Sequence, residues 1–167
     1  MTAIKKRRSI RKFESKPIEE NKLREILEAG RLSPSANNKQ DWKFIVVNEK
    51  NTINKLAKAA NNQTFIASAP VIIVACSINP TRKMSSGQFA GPVDVSIAVT
   101  QMILKSVEEG LGSCWIGAYN ESEIKNILNI PKDVSVVALF PLGYAAENPT
   151  QEPRKDFKEV FIFEKWE

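Results

Sequence analysis

Three short segments carry side chains whose types and spacing could do chemistry. The run Arg7-Arg8-Ser9-Ile10-Arg11 sets guanidinium forks around a hydroxyl, and Pro153-Arg154-Lys155 adds cations near the other end. Arginine's planar donor fork suits phosphate oxygens, and charge-assisted bonds of this kind are roughly twice as strong as neutral ones. At helical spacing Arg7 and Arg11 share a face, whereas Arg8 points about 100° away. Between them lies Ser33-Pro34-Ser35-Ala36-Asn37-Asn38-Lys39-Gln40-Asp41-Trp42, a stiff backbone with several short amide and hydroxyl groups. Amide edges of this sort match a flat heterocycle that both donates and accepts hydrogen bonds. Taken singly, the arginine cluster also reads as a solvated helix face and the 33–42 loop as an ordinary turn. Trp42 reads as core packing.

A fourth segment, Gly110-Leu111-Gly112-Ser113-Cys114-Trp115-Ile116-Gly117, invites two nucleotide motifs and satisfies neither. Gly112 and Gly117 have phosphate-loop spacing, but Ala118-Tyr119 follows where Lys-Ser/Thr is required. A dinucleotide fingerprint needs a third glycine and a preceding strand. Cys114 reads as a small buried residue, since nothing in the sequence activates its thiol.

Composition narrows the chemistry further. The 167 residues contain no histidine and two cysteines, Cys76 and Cys114. Ser-His and Cys-His nucleophile pairs are therefore absent, as is the commonest zinc ligand, and no metal site is expected. The chemistry must come from a cofactor or from carboxylates and lysines. Two cysteines are too few for a disulfide framework, and the charged N-terminus has no apolar stretch behind it. Both point to a reducing cytoplasm. No segment approaches the ~18 unbroken apolar residues of a membrane span. Net charge is +5, with seven basic residues against one acid between Lys5 and Lys16. Without interleaved aromatics or a nucleic-acid motif, that patch reads as a small phosphate site on a solvated face, not as a nucleic-acid surface.

These groups need elements to position them. Residues 1–167 read as one domain, long enough to bury ~70% of the unfolded surface. After Pro17, Leu23, Ile26 and Leu27 share one face of a helix over 18–29, which Ser33-Pro34 ends. Trp42–Val47 reads as a strand, 51–60 as a helix, and Val71–Cys76 as a strand covered on both faces. Residues 77–91 lack periodicity and read as a mobile loop or lid. A long helix follows from Pro92 to about Glu109, with Gly110 past its end. Its apolar positions exceed a single stripe, so its own sheet and a second subunit are expected to cover it. A brief strand at 113–116 comes next, then a helix over 120–128 capped by Asn120 or Ser122. A central strand from Val134 reaches Pro141. Val160-Phe161-Ile162-Phe163 is β-prone and needs a sheet to join, in its own chain or a neighbour's. The irregular alternation indicates a three-layer α+β fold.

The order R-R-S-x-R, P-S-A-x-N-x-Q, G-L-G-x-C-W-I-G and a late R-K resembles the FMN-dependent nitroreductase family across nearly the whole chain. The resemblance implies a three-layer fold with a central, mostly antiparallel sheet flanked by helices. It also implies a homodimer that exchanges its C-terminal strand. FMN would be the cofactor and NADH or NADPH the electron donor, with a nitroaromatic, quinone or similar electron-poor acceptor. Arg7 and Ser9 would hold the FMN phosphate with Arg8 nearby, and Arg154 would return to it. Arg11 would lie by the N1 and O2 edge of the ring as electrostatic support, no side chain acting as a catalytic acid or base. Pro34, Ser35, Asn37 and Gln40 would come from the other subunit, and backbone at Trp115, Ile116 and Gly117 would face the N5 and O4 edge. Asp41 departs from the family pattern, which has proline there. Two alternatives stay open: a flavin-binding or carrier protein without turnover, and a reductive dehalogenase. The latter is disfavoured because residues 77–91 contain Lys83 but neither Glu nor Tyr.

Overall fold

A computed structural model describes residues 2–166. Its central sheet has four strands, β1 (Trp42–Val47), β2 (Val71–Ser77), β3 (Gly112–Ser113) and β4 (Ser135–Gly143), in the order β1-β2-β4-β3. Every pairing is antiparallel, with Val46 opposite Ile73 in the first pair and Ile73 opposite Phe140 in the second. A register shift between Ala75 and Cys76 marks a bulge against β4.

The two-residue period of β2 explains the layers. Ile72, Val74 and Cys76 point into a cluster with Ile53 and Leu56 of α3 (Lys50–Ala59) and Ile124 of α5 (Glu121–Leu128). Val71, Ile73 and Ala75 point the other way, against Ile26 of α2 (Glu20–Arg31) and Val95, Val99 and Met102 of α4 (Ala90–Glu108). A strand covered on both faces has no need of polar alternation, which is why β2 is apolar until Ser77. Among the described residues no helix is long and apolar enough to cross a membrane.

Helix ends follow local chemistry. Glu49 caps α3 by accepting from the Asn51 and Thr52 amides, and Asn120 caps α5 by accepting from Glu123. After α4, Gly110 adopts φ +76 while its N–H reaches the Val107 carbonyl and that of Leu111 reaches Ser106. This Schellman closure requires a left-handed residue, a conformation glycine adopts without a Cβ penalty.

Three expectations are corrected. The helix α1 covers only Ala3–Lys6, and Arg7 already has extended ψ, so Arg7–Arg11 has no helical face. Instead Ser9 bridges Ser113 in parallel, the Ile10 N–H donates to the Ser113 carbonyl at 2.9 Å, and Phe13 bridges Ala145. The buried side chains of Ile10 and Phe13 drive that docking. Second, β4 runs through Pro141 to Gly143. The Pro141 carbonyl accepts from Cys114, so the missing N–H faces the side where β3 has already ended, and little pairing is lost. Third, Val160–Phe163 is not a strand within this chain. Phe157–Val160 forms α6, opened by an Asp156–Glu159 capping box, and Phe161 continues extended without a ladder partner among the described residues. Among the described residues no strand of the sheet pairs with this apolar tail.

A Cβ at Gly112 would lie 2.5 Å from Ile10 Cγ1 and 3.2 Å from Ala145 Cβ. Gly112→Ala is therefore expected to cost about 1–3 kcal/mol through overpacking, read as a lower urea midpoint at unchanged slope. Unaltered stability would mean that the N-terminal segment is not held against β3. A pH dependence follows from the core. Burial pushes the Cys76 thiol up to about 11, and burial pushes Tyr119, whose hydroxyl donates to the Val136 carbonyl, up to about 12. The unfolded thiol releases its proton at a pKa of about 8.5, before the folded one does. Stability is thus fully held below that pH and lost as pH rises toward 11. Urea midpoints should fall across this window, with a shallower slope for Cys76→Ala.

Candidate functional site

Segments from both ends of the chain meet beside β3. Arg7, Arg8, Ser9 and Arg11 line a cavity of about 320 Å³ with Pro149, Thr150, Gln151, Glu152 and Arg154. Extended backbone places alternate residues on one side, so Arg7, Ser9 and Arg11 project together while Ile10 points into the core. The grouping expected from a helix is obtained from a strand-like segment. Arg8 is turned back on the chain: its Nη1 donates to the carbonyls of Lys5 (2.9 Å), Lys6 (3.2 Å) and Arg7 (2.8 Å). Arg154 Nη1 donates to the carbonyls of Glu152 and Pro153, both at 3.2 Å, and the Glu147 carboxylate accepts from the Arg11 amide. Several guanidiniums and a hydroxyl around one small cavity form a donor set for an anion such as a phosphate monoester.

The glycine-rich stretch borders the same cluster. Burial raises the Cys114 thiol pKa, opposed by the charges of Arg11 and Arg7 and by a hydrogen bond from Ser9. A thiol held neutral is no nucleophile, as read from the sequence. Cys114 and Ile116 turn their amides toward β4, onto the carbonyls of Pro141 (3.3 Å) and Leu139 (2.9 Å). By strand alternation the Trp115 and Gly117 amides point away from β4. Of the backbone at 115–117, Ile116 is committed: its carbonyl also accepts from Leu139 at 3.0 Å. Trp115 is 37% exposed, and Gly117 lies at the surface.

Pro34, Ser35, Asn37 and Gln40 do not line this cavity in the single chain. Their loop sits at the start of α4. Asn37, Asn38 and Gln40 all take left-handed φ, at 55°, 53° and 55°. Asparagine tolerates that region, but glutamine does so less readily. The Ser35 hydroxyl accepts from the Gln40 amide at 3.0 Å, and Gln40 Nε2 donates to the Asn38 carbonyl at 3.2 Å. Trp42 packs on Phe44 with ring centroids 6.2 Å apart, a core role.

Two residues of this neighbourhood were missed by sequence reading. Asp94 is buried and accepts from the Ala36 amide at 3.0 Å, and Arg82 bridges Asp94 and Asp41. One signal was available: Asp94 is the sole charge in the first half of the long helix.

Comparison with known proteins agrees with this architecture. The model of the Nitroreductase family matches residues 4–65 and 57–144. An NADH dehydrogenase of Thermus thermophilus is 31% identical, covering 97% of this chain and 94% of its own length. Among solved structures, a nitroreductase family protein from Clostridium novyi superposes with a TM-score of 0.82 at 37% identity, over 90% of this chain and 87% of that one. An FMN-dependent nitroreductase from Clostridium difficile reaches a TM-score of 0.86 at 30% identity, over 98% of both chains. With the family's model spanning most of its length and relatives following it almost from end to end, the chain belongs to the nitroreductase family.

Proposed function

We propose that this chain is a homodimeric oxidoreductase that binds FMN, takes electrons from NADH or NADPH, and passes them to nitroaromatic, quinone or similar acceptors. The observation that carries the reading is the cavity shared by Arg7, Ser9, Arg11 and Arg154 beside the 112–117 stretch. Its donors fit a phosphate monoester, and family membership supplies the cofactor class. Bound FMN would supply hydride acceptance and donation, which a chain without histidine needs from a cofactor.

The chain's own residues then have separable tasks. Arg7, Ser9 and Arg154 hold the phosphate, whereas Arg8, occupied with three carbonyls, contributes mainly charge. Arg11 places a fixed positive charge by the pyrimidine edge, where electrons delivered to the ring accumulate. The outward amides of Trp115 and Gly117 are the backbone donors that can reach the opposite edge. Pro34, Ser35, Asn37 and Gln40 of the partner subunit line the ring and ribityl chain, which explains why they lie away from the arginine cavity within one protomer.

Three unpartnered surfaces support the dimer. Val93 and Ile97 are exposed on α4, β1 has a free edge, and the tail exposes Phe157, Phe161, Phe163 and Trp166, the last at 87%. The exchanged C-terminal segment is the piece long and apolar enough to cover a neighbour. Both cysteines are free and buried, which suits a reducing cytoplasm.

Protein reconstituted with FMN should be yellow, bleach with NADH or NADPH in stopped flow, and regain colour with an acceptor. Bound flavin that neither nicotinamide reduces would leave the carrier reading instead. Arg11→Ala is expected to raise the FMN Kd about 10- to 100-fold, the equivalent of one charged hydrogen bond, and to slow flavin reduction. Arg8→Ala should do clearly less. Equal effects of the two would contradict the placement of Arg8.

A further inference from the structure

Asp94 sits among apolar neighbours on α4, with its side chain only 3% exposed. A carboxylate so placed is costly unless it is paired and hydrogen-bonded. Both oxygens are used, and by different parts of the chain. Oδ1 accepts from the Ala36 amide, and Oδ2 accepts from Arg82 Nη2 at 3.0 Å. Arg82 Nε in turn donates to Asp41 Oδ2 at 2.7 Å. One guanidinium, 18% exposed, thereby links two carboxylates, and through them both ends of the 36–41 loop.

Between those anchors lie the three left-handed residues Asn37, Asn38 and Gln40. Backbone in such sparsely populated regions persists only where its surroundings over-determine it. The ionic bridge supplies that determination from outside the loop. It is backed by the Ile78 amide donating to the Asp41 carbonyl at 3.1 Å. Asp41 occupies the position where the family pattern has a proline, whose ring would fix φ by itself. Arg82 also opens a small hairpin: Lys83 bridges Phe89, the Met84 amide donates to Gln88, and the Ala90 amide donates to the Arg82 carbonyl. The segment expected as a mobile lid is thus tied at its base to the amide loop.

We infer that Arg82 is a positioning residue for the flavin-binding loop. By bridging Asp41 and Asp94 it holds Ser35–Gln40 in its left-handed geometry and couples that loop to the 83–89 hairpin. The inference rests on the FMN reading above. A planar fork that meets two carboxylates at once is something lysine, a point charge, does not reproduce.

The test measures FMN Kd by flavin fluorescence, acceptor KM and kcat, and the Tm of the flavin-free protein. It uses wild type, R11A, R82Q, R82K, D41N and D41N/R82Q. R82Q and R82K should raise FMN Kd about tenfold and D41N about threefold, with the D41N/R82Q double variant no worse than R82Q because the two act through one bridge. Acceptor KM should rise with Kd while kcat at saturating FMN stays within about twofold. If R82Q does not fold, R82K and D41N decide the matter alone. Wild-type Kd in R82Q and D41N, with R11A still weakened, would overturn the inference and leave the FMN reading standing. A lowered Tm without change in Kd or KM would reduce Arg82 to a structural ion pair and overturn it equally. Wild type unable to bind FMN would remove the FMN reading and this inference with it.

Discussion

The docking of Ser9–Phe13 along β3 and the end of β4 is the constraint on which the candidate site depends. Without the Ile10 amide on the Ser113 carbonyl, Arg7, Ser9 and Arg11 belong to a charged tail in water, where guanidiniums repel and screening leaves little net field. Zipped to the sheet, they become fixed donors at one position. Two apolar side chains, Ile10 and Phe13, anchor the segment, and a glycine at 112 allows the approach. Charge placement here rests on hydrophobic burial a residue or two away.

The same arrangement explains why the chain's functional groups divide into two sets. The arginines and the 112–117 stretch are placed by the sheet and meet within one protomer. The amide loop is placed by the start of α4 and meets neither. In the dimer proposed above, a pocket assembled across its axis would resolve that separation without moving any element, and it would ask for rigidity in each half. Rigid halves are what the structure has: a sheet buried on both faces behind one, and an ionic bridge behind the other.

Much of this was legible in the residues, though not always for the reason first read. β2 was plain, because six apolar residues bounded by Pro70 and Ser77 can only be a covered strand. The ends of α4 and α5 were plain too, marked by Gly110 and Asn120. Arg7 and Arg11 were grouped from a helical period, yet the grouping arises from extended backbone, because both periods bring positions 7 and 11 to one side. The terminal Val160–Phe163 was read as a strand needing a sheet in its own chain or a neighbour's, and among the described residues its own chain pairs with none of it. Arg82 and Asp94 escaped notice because their meaning lies in a pairing across long sequence separations. A charged side chain in a loop looks solvated until the fold delivers a buried partner to it.

The free edge of β1 has a consequence for handling the protein. A single chain presents a six-residue edge strand that includes Phe44, Ile45 and Val46, and at its far end a tail of exposed aromatic rings. Neither proline nor a bulge guards that ladder, and its one lysine, Lys43, is slight protection. Strand-to-strand accretion at ordinary temperature is the failure mode this edge invites, and any partner that covers it is the natural remedy.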